Sequence, residues 1–111
     1  MLTLLDEANV KYESIVLDML AGEHKSPEFL KINPRGNVPT LIINGKIFLE
    51  SAATLRLLTQ VLPTLRNTEL YPKDPKKRHA VDAALDFNGT TFRSKLAVRN
   101  DAHWAQIACF K

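Results

Sequence analysis

The chain has 111 residues, 45% hydrophobic and 24% charged, with a formal net charge of +3, the balance of a soluble globular domain, or of one domain and part of another. One cysteine, Cys109, excludes an internal disulfide and any Cys-x-x-Cys redox or zinc pair. No apolar run approaches the ~20 residues that span a bilayer, and "MLTLLDEANVKY" lacks a signal-peptide layout, so a soluble cytoplasmic protein without a membrane partner is expected.

Leu2, Leu5 and Val10 recur at roughly helical spacing and predict the end of an amphipathic helix. Tyr12, Ile15, Val16 and Leu17 predict a strand over Tyr12 to Asp18 with a partly buried centre. A short helix follows in "HKSPEFLKI": Ser26 suits its N-cap, Pro27 its first position and Glu28 the positive end of its dipole. "NPRGN" ends it. "PTLII" and "KIFLE" flank Asn44-Gly45, the strongest short hairpin signal, because a type I′ turn needs positive φ at both central residues. In "SAATLRLLTQVL", Leu55, Leu58 and Leu62 share one helical face, and Pro63 stops the helix. The proline-bearing "PTLRNTELYPKD" is the expected domain boundary. Asp74 caps a last helix with Pro75 at its first position and an apolar stripe of Val81, Ala84, Leu85 and Phe92. "AVRNDAHWAQIACFK" is weakly patterned and receives no assigned structure.

Few residues point to chemistry. The basic run "KDPKKR" has no interleaved aromatics and reads as a solvated helix face, so no nucleic-acid partner is expected. His79 and His103 have no ligand spacing and read as surface histidines, no metal is expected, and Cys109 reads as an inert thiol. The "NVPTLIINGKIFLES" stretch is richer. Ser51 opens a helix, where a hydroxyl and free backbone N–H groups suit a carboxylate or phosphate; taken by itself it reads first as a plain N-cap. Glu50 beside it repels a bare anion, a conflict that a zwitterion removes. Pro39 cannot donate to a ladder. It is either a plain strand-start proline or, in a cis bond, the device that turns the main-chain groups of Val38 outward to meet an extended peptide. The two ends outline a slot for a small peptide with a free amino-acid head group.

"AGEHKSPEFLKINPRGNVPTL", "LESAATLRLL" and "LYPKDPKKRHAVDAALDFNGTTFR" carry a resemblance to the glutathione transferase family, in its theta and delta classes, over residues 1 to about 96. The Val-Pro pair and the Glu-Ser pair beyond it match the family's spacing. The resemblance implies an α/β fold: an incomplete thioredoxin-like domain over 1–63, a linker over 64–74, and over 75–111 the start of an all-helical domain. It implies glutathione as co-substrate. Glu50 and Ser51 would hold the γ-glutamyl head group, and Val38, before a cis Pro39, would pair with the cysteinyl unit. His24 and Asn37 would serve the glycine end, His24 being otherwise a solvated loop histidine. Gly36 stands where delta-type members commonly carry a second histidine.

Laid on the family pattern, the first strand and the hydroxyl or thiol that activates the glutathione sulfur fall before residue 1, so no residue takes the catalytic role. The helical domain is represented by its first helix alone. In the family's sheet the strand in question is internal, between the Tyr12–Asp18 strand and the hairpin. Unpaired buried polar groups cost about 1–3 kcal/mol each against a domain stability of about 5–15 kcal/mol. Two functions fit: a glutathione transferase of detoxification type that is inactive as this chain alone, or a non-catalytic transferase-like module. Partners would be glutathione and either a second copy or a larger protein assembly.

Overall fold

The computed structural model describes residues 1–66, 68–92, 95 and 106–110, the last five through their backbone pairing. Residues 1–54 and 103–111 form one compact unit and residues 55–102 another. The surface calls on His103 and the thiol of Cys109 lie outside the described side chains. No helix among the described residues is long and apolar enough to cross a membrane.

The first unit begins with helix α1, Leu2–Glu7, which buries Leu5. Strand β1 is Glu13–Val16, shorter than the predicted Tyr12–Asp18. Its expected partly buried centre is corrected: all four residues are exposed, Ile15 at 42% and Val16 at 59%. The cause is position, since β1 is the outermost strand of its sheet. A 3-10 turn, Glu23–Lys25, leads into α2, Pro27–Ile32, where the Ser26 hydroxyl accepts a hydrogen bond from the Phe29 N–H and Pro27 fills the first turn. Strands β2, Thr40–Ile43, and β3, Lys46–Phe48, form the hairpin. Asn44 and Gly45 have φ of +48° and +75°, the two left-handed residues that turn requires. Helix α3 follows at Ser51–Val61.

The sheet holds a fourth strand, β4, Gln106–Phe110, in a segment to which the sequence reading assigns no structure. The order is β1-β4-β2-β3. β4 pairs antiparallel with β1, Ile15 opposite Ile107, and parallel with β2, Thr40 opposite Ile107. The internal place expected to lack a strand is thus taken by residues from the far end of the sequence. Leu5, Ala8, Phe29 and Leu41 are buried in this unit, together with the polar Asn33, Thr40 and Thr54.

In the second unit Leu58 and Leu65 are buried. Helix α4, Pro75–Phe87, is capped by the Asp74 carboxylate, which accepts from the Lys77 N–H, and runs on into a π-helical turn, Asn88–Phe92. The predicted stripe is covered in part: Val81 and Leu85 are half-buried, Ala84 is exposed, Phe92 is half exposed, and no residue of α4 is fully buried. Charge also ties α4 to α3. Arg56 on α3 donates from Nε to Asp82 at 2.6 Å and from Nη2 to Asp86 at 2.8 Å. The Tyr71 hydroxyl donates to Asp82 at 3.1 Å, and the Arg78 guanidinium lies 5.0 Å over the Tyr71 ring. The hydrogen bond from Arg56, then that from Tyr71, hold the Asp82 carboxyl below its ordinary pKa against the opposing effect of burial.

Candidate functional site

The hairpin decides which residues meet. Its last pair is Leu41 opposite Phe48. Pro39 stands two positions before the one, and Glu50 two positions after the other, so Val38-Pro39 and Glu50-Ser51 leave the same end of the hairpin. The Val38–Pro39 bond is cis. Among the described residues, the main-chain N–H and C=O of Val38 have no hydrogen-bond partner.

Glu50 has φ +66°, a left-handed conformation that costs a non-glycine residue about 1–2 kcal/mol. The first turn of α3 holds it there. The Glu50 carbonyl accepts from the Thr54 N–H at 2.9 Å, and the buried Thr54 hydroxyl donates to the Leu49 carbonyl at 3.3 Å. Ser51 is the first helical residue rather than the residue before it. Among the described residues, the N–H groups of Ser51, Ala52 and Ala53 and the Ser51 hydroxyl have no hydrogen-bond acceptor or donor. An eleven-residue helix therefore presents its positive end with open donors beside an exposed carboxylate.

Among the described residues that carboxylate has one partner: Arg35 donates from Nη1 to Glu50 Oε1 at 2.9 Å. The two side chains are 63% and 70% exposed, and such exposed pairs contribute about 0–1 kcal/mol. The contact therefore places the 33–37 loop against Glu50 without locking the carboxylate away from a second cation.

The loop itself is built on Asn33, which is 1% exposed. Its Nδ2 donates to the Asn37 carbonyl at 2.7 Å and to Thr40 Oγ1 at 3.1 Å, and its Oδ1 accepts from the Arg35 N–H at 3.1 Å. The Thr40 hydroxyl also donates to the Asn37 carbonyl. Asn37 stands at the exposed crest of this loop. His24 lies on the 3-10 turn with Nδ1 buried and, among the described residues, without a hydrogen-bond partner, an arrangement that costs about 1–3 kcal/mol unless something fills the valence. The turn and the loop are joined by Lys25, whose Nζ donates to the Arg35 and Gly36 carbonyls, each at 3.1 Å. Gly36 has φ +59°, and a Cβ there would stand 2.7 Å from the His24 carbonyl oxygen and 2.7 Å from Lys25 Nζ. A side chain at 36 has no room, and the Lys25 ammonium occupies that space.

All six residues singled out from sequence thus sit on three connected segments: His24 on the turn, Asn37, Val38 and Pro39 on the loop, Glu50 and Ser51 at the head of α3. Four positioning residues went unremarked, Lys25, Asn33, Arg35 and Thr54. Of these, Asn33 alone left a signal, in the Asn-Pro pair that favours an Asx-type turn.

Residues 1–60 match the family model described as glutathione S-transferase, N-terminal domain. Among solved structures, the chain is similar to a Bombyx mori glutathione transferase, BmGSTD1, in complex with GTT, with 33% identity and a TM-score of 0.68. The match covers 80% of this chain and 41% of that one, so the chain spans less than half the length of this relative. A family match over more than half of the residues, on a fold that brings the Val-Pro and Glu-Ser pairs to the same end of the hairpin, assigns the chain to the glutathione S-transferase family.

Proposed function

We propose that the first unit binds glutathione at the shared end of the hairpin and α3, as a theta- or delta-like member of its family. The departure of Val38-Pro39 and Glu50-Ser51 from one end of the hairpin carries the reading. The γ-glutamyl carboxylate meets the Ser51 hydroxyl and the open N–H groups of α3, and its ammonium meets Glu50. The main chain of Val38 pairs with the cysteinyl unit. His24 and Asn37 serve the glycine carboxylate. The neighbouring Lys25 ammonium adds positive charge where Gly36 offers no side chain. The parent chemistry is addition of glutathione thiolate to an electrophile. These 111 residues alone catalyse it slowly or not at all, because the resemblance assigns the thiol-activating group to none of them.

Calorimetric titration with glutathione tests the site. Removing a charged hydrogen-bonding partner costs about 1.5–3 kcal/mol, so Glu50→Ala weakens binding about 10- to 150-fold. Unchanged affinity in a folded variant contradicts the assignment. Turnover of a standard electrophile at rates typical of the family contradicts the expected inactivity.

The exposure of β1 favours a second reading, a non-catalytic docking module. An edge strand with Ile15 and Val16 accessible suits addition of a partner's strand. A chain that ignores glutathione resin yet co-elutes with a defined partner supports this alternative.

A further inference from the structure

β1 has a single neighbour in the sheet, β4, and β2 meets β4 on the side away from β3. Without β4, β1 and β2 would face each other across two inter-strand spacings, about 9.6 Å. Each would present a row of unpaired N–H and C=O groups. Side chains cannot satisfy two facing ladders at once, whereas one extended backbone does. The segment that lies there, "QIACF", contains no proline, glycine or charge, the composition an interior strand needs.

This strand also reaches the glutathione site through β2. Thr40 lies opposite Ile107 in the parallel ladder. Thr40 is fully buried, and its hydroxyl is bonded to both the Asn37 carbonyl and Asn33 Nδ2. Pairing at Ile107 fixes the backbone of Thr40, and the side chain of Thr40 fixes the loop that ends in Val38. The strand can thus organise the site without touching a ligand.

We propose that the space between β1 and β2 is a strand-acceptor slot, that its occupant is the chain's own Gln106–Phe110 segment, and that seating this segment holds the Val38 end of β2 in its glutathione-binding arrangement. The last clause rests on the function proposed above; the slot and its occupant do not.

The register supplies the test. Glu13 lies opposite Cys109 and Ser14 opposite Ala108, and Cys109 is the only cysteine. Opposed residues of an antiparallel pair have Cα atoms about 4.5–5.5 Å apart, within disulfide reach. In the full chain, Glu13→Cys should oxidise to an intrachain disulfide, seen as a faster-migrating monomer on a non-reducing gel, and Ser14→Cys should not. Failure of Glu13→Cys to close, or equal closure by Ser14→Cys, overturns the slot. A disulfide-linked dimer from Glu13→Cys overturns the occupant, because the strand then comes from a second copy. For the coupling, the probe is S-methylglutathione, which has no free thiol. In the oxidised Glu13→Cys chain, the temperatures of sheet unfolding and of loss of probe binding should rise together by about 5 °C or more. A rise in the first without the second overturns the coupling. Absence of probe binding in the unaltered chain overturns the glutathione reading, and with it the coupling, while the cross-linking result stands.

Discussion

Replacing Gly36 by alanine isolates the packing that joins the two halves of the proposed glycine end. Gly36 and Gly45 have similar left-handed conformations, φ +59° and +75°. For each, an added Cβ costs about 1–2 kcal/mol in conformation, partly offset by about 0.4–1 kcal/mol from a stiffer unfolded chain. At Gly45 nothing lies within 4 Å of the new atom, so the conformational cost is all there is, a net loss near 1 kcal/mol. At Gly36 the new atom meets the His24 carbonyl oxygen at 2.7 Å and Lys25 Cδ at 2.9 Å. Lys25 can swing aside, but the carbonyl is backbone within a hydrogen-bonded turn, and overpacking of this kind adds about 1–3 kcal/mol. At about 4–8 °C per kcal/mol for a domain of this size, Gly36→Ala should melt well below Gly45→Ala in parallel calorimetric scans. It should also weaken glutathione binding, since relief of the clash moves the turn bearing His24. Losses that agree within about 0.5 kcal/mol would refute the close approach of turn and loop.

Asn33→Ala leaves the Arg35 N–H and the Asn37 carbonyl each without an Asn33 partner and should cost about 2–3 kcal/mol, read in urea unfolding; a loss below about 0.5 kcal/mol would mean the loop is held by other contacts. The depressed pKa of Asp82 predicts an acid-sensitive second unit. Its folded form binds a proton less readily than the unfolded form, so this contribution is complete above the ordinary carboxylate range, about pH 4, and is lost as the pH falls through the lowered value. Asp82→Asn should be less stable than the parent at pH 7 and should close that gap on acidification; parallel pH–stability curves would contradict the Arg56–Asp82 pairing.

What the sequence reveals here is local. The Asn44-Gly45 turn, the Ser26 and Asp74 caps and their following prolines need only neighbouring residues, and each lies where its chemistry puts it. The hairpin turn also fixes that Pro39 and Glu50 leave the same end of the hairpin, because a two-residue turn determines the pairing up to Leu41 opposite Phe48. β4 depends on partners far along the chain, Glu13–Val16 and Thr40–Ile43, and a short apolar run without flanking turn signals leaves no period to read. The exposure of β1 escaped for the same reason: alternation marks a strand, not whether it lies at an edge. Arg35 and Lys25 look like ordinary surface cations until the fold lays one on Glu50 and the other on the Gly36 carbonyl.

Titration of isotope-labelled chain with glutathione, followed by amide chemical shifts, addresses the binding site most directly. The amides of Val38, Ser51 and Ala52 should shift together along one saturation curve, with the α4 amides still. Shifts confined to other residues, or none at saturating ligand, would contradict the site.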